Sequence, residues 1–315
     1  MRPWLHKTSE GPEVVCTHWV VVGGTAARSR KSLRARCTSH FKVANVNTTE
    51  SPAANEIDMV VAGAVATVTL NRPEKLNAAT SSMLDQLPSV LGQLAERRDI
   101  RVLVLTGAGD AFCAGADIGS RSTLSGPAGV AELRTRADAV RILAGLPQIT
   151  VAAVNGPCAG MGTALAAACD LRLLARRSRV ATAYLRIGVP GDFGGLYHLS
   201  RIIGRSRALE WYVRPRKIDP DEALRTGFAN VVFDDEIFAD GVAEWCADLV
   251  SLAPSALRAV KANLLDQDRL TLEKYLDEET ERHVAVRASP DARDAAAAFL
   301  AKRPASVTPN ERGKR

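Results

Sequence analysis

The order of apolar and polar positions divides the first half of the chain into strands and helices. IDMVVAG and AVATVTLN predict two strands joined at Gly63. RVLVLTG (101–107) and ITVAAVNG (149–156) are continuous apolar runs that end at glycine, as buried strands do. Apolar side chains at helical spacing predict a helix over 80–97, which we expect Pro88 to bend or interrupt. Because VAELRTRADAVRILAGL predicts a further helix, strands alternate with helices, and a mostly parallel, helix-covered sheet follows.

The second half of the chain reads mainly as helix. GMGTALAAACD predicts a helix of small residues and LRLLA a short strand, and FANVVF predicts one more strand further on. The remaining stretches fit amphipathic helices: GGLYHLSRIIG, SRALEWYV, DPDEALRTG, IFADGVAEWCADLVSL, PSALRAVKANLLDQ, TLEKYLDEETERHVAV and DARDAAAAFLAKR. We therefore divide the chain into a patterned core over 56–250, a helical region over 251–304 and a loose polar tail over 305–315.

Composition supports a globular protein and excludes several classes. The 315 residues are 46% apolar and 24% charged, which is ordinary for a soluble domain. No apolar run reaches the roughly 18 residues that a membrane-spanning helix needs. The six cysteines stand apart without a CxxC pair, so we expect no metal site, and buried thiols in a reducing compartment.

Residues 1–55 differ from the rest of the chain in charge and pattern. The first 50 residues account for five of the six excess positive charges, so the sequence predicts no nucleic-acid surface on the body. This segment fits a disordered extension, sequence upstream of the true start, or a basic mitochondrial targeting segment. We expect a cytoplasmic, bacterial-type protein in the first two cases and a mitochondrial one in the third.

Common catalytic motifs are missing. No GxSxG motif occurs, three of the five histidines lie in the N-terminal segment, and Cys113 has no evident histidine partner. The glycines of TGAGDAFCAGAD do not have the GxGxxG spacing, and no phosphate-binding GxxxxGK[ST] loop is present.

Two glycine-rich turns have the features of an oxyanion site. FCAGAD (112–117) and NGPCAGMG (155–162) each follow a buried strand and precede small residues that can begin a helix. Such turns leave backbone N–H groups without partners, and two of these groups can bind one carbonyl oxygen that becomes negative. The alternative is that the small residues only allow a strand and a helix to pack closely.

Asp192 is the one acid among the four glycines of GVPGDFGGL. One interpretation is a helix cap, because aspartate favours the position before a helix and a helix is predicted from Gly194. The other is a general acid/base in a partly apolar pocket, where its pKa is raised. Nearby Val189, Phe193 and Leu196 provide apolar residues for such a pocket.

Four stretches together resemble the crotonase superfamily (enoyl-CoA hydratase/isomerase) over about residues 57–300: VATVTLNRPEKLNA, VLVLTGAGDAFCAGADI, VAAVNGPCAGMGTALAAACDL and RIGVPGDFGGLYHLSRIIGRSRALE. The resemblance implies an α/β fold, a spiral of ββα units with a C-terminal helical trimerisation region. It also implies an acyl-CoA substrate and a homotrimer or a hexamer made of two trimers. Coenzyme A is then part of the substrate, and no separate cofactor is expected.

Site residues follow from the resemblance by position. It implies that the N–H groups of Ala116 and Met161 bind the thioester oxygen; many members have glycine where Met161 stands, so its side chain is expected to narrow the acyl pocket. The implied substrate-binding residues are Lys75, Leu76, Ala78, Ala114, Asp117, Ile118, Pro157, Gly160 and Tyr184. Lys261 is a further candidate for binding the CoA phosphates through its positive charge.

The sequence departs from the family at its two usual catalytic glutamates, whose positions hold Ala164 and Tyr184. Asp192 matches the aspartate of family isomerases that shift C=C bonds and of aryl-CoA dehalogenases. The leading hypothesis is a double-bond shift through a thioester enolate with Asp192 as acid/base. Enoyl-CoA hydration is the alternative, and a non-catalytic acyl-CoA-binding protein is a hypothesis from another class; an NAD-dependent reductase is a third.

Overall fold

The computed structural model describes residues 55–120 and 123–303. The predicted N-terminal extension, apart from Asn55, and the predicted tail over 305–315 therefore lie outside the described residues. Within the described ranges, no helix is both long and apolar enough to cross a membrane.

Eight strands form two sheets in the described part of the chain. The larger sheet has the order β1-β2-β3-β4-β6-β8, in which only the β1–β2 pair is antiparallel. The smaller sheet is the parallel pair β5–β7. The strands are β1 (Ile57–Ala62), β2 (Val65–Leu70), β3 (Val102–Gly107), β4 (Ile149–Val154), β5 (Pro157–Ala159), β6 (Leu171–Ala175), β7 (Arg179–Ala181) and β8 (Val231–Phe233). The predicted mostly parallel sheet is confirmed.

Helices connect and cover these strands, and from α7 onward the described chain is entirely helical apart from short connections. The α-helices are α1 (Ser81–Ala95), α2 (Gly126–Gly145), α3 (Met161–Ala168), α4 (Gly195–Ile203), α5 (Arg205–Val213), α6 (Pro220–Arg225), α7 (Phe238–Ser251), α8 (Pro254–Gln267), α9 (Leu272–Arg287) and α10 (Pro290–Leu300). Short 3₁₀ turns occur at Pro73–Lys75, Ile118–Ser120, Tyr184–Ile187 and Asp235–Ile237.

The central strands are buried on both faces of the large sheet. Along β3, Leu103 and Leu105 belong to the apolar cluster that includes α1, whereas Val102 and Val104 belong to the cluster that includes α7. Because successive side chains of a strand point to opposite faces, a strand covered on both sides must be apolar at every position. This explains the continuous apolar runs in the sequence.

Helix α1 begins with Thr80, whose Oγ1 accepts a hydrogen bond of 3.0 Å from the N–H of Met83. All five apolar residues at helical spacing are buried: Met83, Leu84, Leu87, Leu91 and Leu94. Of the two effects expected of Pro88, an interruption of this helix is wrong, because α1 continues through it to Ala95; a bend stays a prediction. Burial of the apolar face outweighs the roughly 3 kcal/mol that an interior proline costs.

Lys261 anchors α8 to the body through a buried ion pair. Its Nζ lies 2.7 Å from Asp170 Oδ2 and donates a 2.7 Å hydrogen bond to the carbonyl of Gln148. The residue is only 2% exposed. A role of Lys261 in binding CoA phosphates is therefore wrong, since its charge is neutralised inside the protein.

Candidate active site

The first glycine turn presents one free backbone amide. The N–H of Ala79 donates to the carbonyl of Gly115, and the N–H of Asp117 donates to the carbonyl of Ala79, each at 2.8 Å. In such a parallel bridge, the N–H of the intervening Ala116 points to the opposite side of the chain. That N–H has no acceptor in the part of the chain that the structure describes.

The second turn presents another free amide at the start of α3. Met161 is the first residue of this helix, and the first helical bond runs from the N–H of Ala164 to the carbonyl of Gly160 at 3.1 Å. The amides of a first helical turn lack partners within the helix and carry its positive dipole end. The N–H of Met161 is therefore available to an anionic oxygen.

The two turns lie against each other and need glycine to do so. Gly115 has φ 105°, and a Cβ on it would lie 3.2 Å from the carbonyl oxygen of Ala159. Gly160 has φ 52° and ψ −120°, and a Cβ on it would lie 3.8 Å from the Cα of Gly115. Both backbones adopt conformations that favour glycine, which fixes the two amides near each other.

A cavity of about 460 Å³ opens beside these turns, and Ala116, Met161 and Asp192 all line it. Its size is within the usual range for small-molecule sites. Five implied substrate-binding residues also line it: Ala114, Asp117, Ile118, Gly160 and Tyr184. Most of the remaining wall is apolar, with Leu84, Leu124, Leu133, Ile187, Val189 and Phe193.

Four other implied substrate-binding residues lie beside the cavity's first turn or its supporting strand. The carbonyl of Leu76 accepts from Ala114 N at 3.0 Å, and that of Ala78 accepts from Arg72 Nη1 at 3.1 Å. The carbonyl of Pro157 accepts hydrogen bonds from two residues of the first turn, Phe112 and Cys113, each at 3.1 Å. Lys75 is exposed at the end of a 3₁₀ turn. Their contact with CoA stays a prediction.

Asp117 is held by strong partners. Its Oδ2 lies 2.6 Å from Arg72 Nη1, and its Oδ1 accepts a 2.9 Å hydrogen bond from Gly119 N. These interactions, above all that with Arg72, lower the pKa of Asp117. A carboxylate stabilised in this way fixes the loop and is a poor proton carrier near neutral pH.

Asp192 has the opposite surroundings. Its Oδ1 is buried and has no hydrogen-bond partner among the described residues. The cap of α4 is Gly194 without a side-chain bond, and only the backbone carbonyl of Asp192 accepts from Gly195 N, at 3.0 Å. The helix-cap interpretation of Asp192 is therefore wrong. Burial raises its pKa, and the nearby Tyr184 hydroxyl offsets part of that rise.

Tyr184 and Ala164 occupy the positions of the missing glutamates. The Tyr184 ring stacks on Tyr212 with centroids 5.7 Å apart and 17° between planes, and its buried hydroxyl makes no hydrogen bond within the described residues. Ala164 is buried on α3, and a Cβ on Gly195 would lie 3.1 Å from its Cβ. The two implied glutamate positions therefore hold no acid, and the site offers instead Asp192, whose Oδ1 is buried without a hydrogen bond among the described residues.

Sequence reasoning missed two charged residues of the cavity wall, Glu132 and Arg136 on α2. Their spacing of four places them on one side of the helix, as the sequence already implied. Nothing in the sequence shows which side of α2 faces the cavity, however, because that depends on how α2 packs against α1.

Known proteins match this chain over nearly all of its described part. The sequence model described as "Enoyl-CoA hydratase/isomerase" covers residues 61–309. The chain belongs to the enoyl-CoA hydratase/isomerase family. Membership confirms the resemblance to the crotonase superfamily, its α/β fold, and an enzyme of the hydratase/isomerase type.

Relatives in this family carry different activity names. The 1,2-epoxyphenylacetyl-CoA isomerase of Escherichia coli is 36% identical over 78% of this chain and 95% of its own. A 4-chlorobenzoyl coenzyme A dehalogenase of Arthrobacter is 32% identical over 76% and 88%. The short-chain-enoyl-CoA hydratase of Clostridium acetobutylicum is 31% identical over 79% and 96%.

Solved structures confirm the fold of the enoyl-CoA hydratase/isomerase family. An enoyl-CoA hydratase/carnithine racemase from Magnetospirillum magneticum has a TM-score of 0.75 and 34% identity, covering 81% of this chain and 96% of that one. An enoyl-CoA hydratase from Bacillus anthracis also has a TM-score of 0.75, with 28% identity, covering 79% and 98%.

Proposed function

We propose that this enzyme shifts a C=C bond in an acyl-CoA thioester through an enolate. The observation that carries the proposal is the position of Asp192, whose buried Oδ1 has no hydrogen-bond partner among the described residues and which lines the same cavity as two free amides. One acid and one oxyanion site are what a proton shuttle along an acyl chain requires.

The proposed reaction moves one proton and two electron pairs. Asp192 removes a proton from a carbon of the acyl chain, and the C–H electron pair is delocalised onto the thioester oxygen. The N–H groups of Ala116 and Met161 stabilise that oxygen as it becomes negative, which is worth roughly 3–4 kcal/mol per donor in other enzymes. The protonated Asp192 then returns the proton to a different carbon, so no atom is gained or lost.

The raised pKa of Asp192 supports this role. A carboxyl with an ordinary pKa is a weak base towards a C–H proton, and burial makes the charged form more basic. Asp117 lines the same cavity but its pKa is lowered by Arg72, so it is the poorer candidate. Among these two cavity aspartates, Asp192 is the base in our proposal.

Hydration is the second candidate, supported by the relative named a short-chain-enoyl-CoA hydratase. Addition of water across a double bond is expected to need a second group that holds and activates the water. Ala164 and Tyr184 provide no carboxylate at the two implied positions. We therefore rank isomerisation first and expect hydration to be slow.

The test compares Asp192→Asn with the exposed control Asp110→Asn in an assay of double-bond migration in a 3-enoyl-CoA. Asp110 is bound by Arg177 at the surface and does not line the cavity. The proposal expects a large loss with Asp192→Asn alone. Unchanged migration in Asp192→Asn contradicts the mechanism.

Deuterium exchange separates an enzyme from a non-catalytic binding protein. A saturated acyl-CoA in deuterated water is expected to exchange protons next to the thioester carbonyl in the presence of the wild-type chain. Tight binding without exchange favours the non-catalytic hypothesis.

We also propose that the chain assembles as a trimer or as a hexamer of two trimers. The C-terminal helices α9 and α10 expose large apolar side chains, including Leu272, Phe299 and Leu300, which contact with further copies would cover. Light scattering coupled to size-exclusion chromatography tests this, and a monomer at micromolar concentration contradicts it.

A further inference from the structure

One wall of the cavity is charged although most of its other walls are apolar. Helix α2 contributes Gly129, Glu132, Leu133 and Arg136 to the lining, and these residues follow one side of the helix. We call Glu132 and Arg136 the α2 polar pair. The proposed proton shuttle uses neither of them, so their presence in an acyl pocket needs a separate explanation.

Arg136 is held in place by two carboxylates. Its Nε donates to Asp85 Oδ1 of α1 at 2.8 Å, and its Nη2 lies 2.8 Å from Glu132 Oε1. The residue is 9% exposed, and Asp85 is not part of the cavity lining. One side of the guanidinium is thus neutralised and fixed, which orients the remaining donor group.

That remaining group, Nη1, has no acceptor among residues 55–120 and 123–303. It is also not one of the buried side-chain atoms without a partner, so it keeps access to solvent. A guanidinium nitrogen carries N–H donors that cannot be neutralised by losing a proton near neutral pH. In a largely buried arginine on a cavity wall, such donors favour a bound oxygen acceptor.

We propose that Arg136 binds an acceptor oxygen on the acyl group, so that the substrate class is acyl-CoA thioesters with a second oxygen, such as an oxo, ether or epoxide group. This inference rests on the proposed function only in taking the cavity as the acyl site. A plain alkyl chain against the α2 polar pair displaces water from charged groups without replacing its hydrogen bonds, which is unfavourable. An acyl oxygen restores one bond to a charged donor.

The test measures equilibrium binding by calorimetry and does not depend on turnover. The ligands are hexanoyl-CoA and its 3-oxo, 4-oxo and 5-oxo analogues, which differ only in the presence and place of one acceptor oxygen. At least one oxo analogue is expected to bind the wild type about tenfold tighter than hexanoyl-CoA, as one hydrogen bond to a charged donor allows. Equal or weaker binding of all three overturns the proposal.

Two variants assign the preference to Arg136. Arg136→Met is expected to reduce the preference to threefold or less while hexanoyl-CoA binds as before or tighter. Asp85→Asn is the matched control, because the asparagine Oδ1 can still accept the hydrogen bond that orients Arg136 while the negative charge is removed, and the cavity lining stays intact; it should keep the preference. Loss of the preference in both Arg136→Met and Asp85→Asn would show that Arg136 has only a structural role, and would overturn the proposal.

Folding is checked by circular dichroism, since Arg136 also bridges α1 and α2. If Arg136→Met does not fold, Arg136→Lys replaces it, because lysine keeps the charge but not the planar donor geometry. In Arg136→Lys the preference for the oxo analogue should fall from about tenfold to about threefold or less. An unchanged preference contradicts a directed hydrogen bond from Arg136. Absence of proton exchange with hexanoyl-CoA would instead defeat the proposed function and leave this binding result standing.

Discussion

Asp170 and Asp192 are both largely enclosed carboxyl groups, but they have opposite surroundings. Asp170 Oδ2 accepts from Thr150 N at 2.7 Å and Thr150 Oγ1 at 2.9 Å, and it pairs with Lys261 Nζ at 2.7 Å. Asp192 Oδ1 has no partner in the described chain. A paired carboxylate has its burial offset by its partners, whereas a buried oxygen without a partner costs stability and remains free to take up a proton.

This difference separates a structural role from a functional one without reference to relatives. Buried polar groups in native proteins are nearly always satisfied, so an unsatisfied one needs an explanation. At Asp192 the explanation that we propose is the proton transfer of the reaction. Five experiments test this assignment of roles and the site around Asp192.

The largest expected effect is on turnover. Asp192→Asn should reduce double-bond migration by about 10²- to 10⁴-fold, the usual contribution of a general acid/base. Asp170→Asn should leave turnover per folded molecule within about threefold. Steady-state kinetics on both variants checks this, and similar losses in both would mean that the two aspartates do not differ in role.

The next effect is on stability. Lys261→Met should lower the free energy of unfolding by about 3 kcal/mol, because it leaves Asp170 buried without its cation. Urea denaturation measures this change. The variant should keep its KM for acyl-CoA, since Lys261 does not line the cavity; a weaker affinity for CoA thioesters would restore a binding role for this lysine.

A smaller effect is expected at the oxyanion turns. Gly115→Ala should lower kcat about 10- to 100-fold, because the added Cβ and the φ of 105° displace the neighbouring Ala116 amide. Gly63→Ala is the matched control: φ is 59° there as well, but a Cβ meets no atom within 4 Å. It should change stability alone. Equal kcat values in the two variants would contradict the assigned amide.

The smallest effect is a pH-dependent change in stability. The folded protein raises the pKa of Asp192 above its ordinary 3.8, so this group favours the folded state fully below that value and loses its contribution as the pH rises through the raised pKa. Asp192→Asn should therefore be more stable than the wild type at pH 7 and no different near pH 3. A variant that is less stable at pH 7 contradicts an unpaired carboxylate.

The same shift predicts an acid limb in the pH profile of kcat/KM. The base must be ionised, so activity should fall as the pH drops through the raised pKa, at a pH above 3.8. The residual activity of Asp192→Asn should lack this limb. A wild-type limb at or below 3.8 would assign the proton transfer to another group.

Local patterns predicted most of the fold. The five apolar residues of α1 and the continuous run of β3 specify their burial directly, because periodicity reflects which faces are covered. The sequence patterns do not predict strands β5 and β7, because a strand of three residues is too short to show an alternation of apolar and polar positions. The interruption expected at Pro88 is wrong because packing energy from distant residues is not visible in a local pattern.

The site was predicted in part, and the reasons are physical. The glycines of the two turns are visible in the sequence, and in the structure Gly115 and Gly160 adopt backbone angles that favour glycine. Ala116 and Met161, which follow them, line the cavity. The burial of Lys261 and the position of Arg136 depend on helix packing across long separations in sequence. The absence of a cap bond at Asp192 could likewise be found only from coordinates.

The main-chain and side-chain atoms of Met161 have separate roles. Its main-chain amide is available to a developing charge, whereas its side chain is almost fully buried in the apolar core beside the cavity that the residue lines. We expect replacement of the side chain to alter the volume offered to the acyl group and to leave the charge-stabilising N–H in place. Substrate range can therefore diverge during evolution by single substitutions at this position without loss of the underlying chemistry.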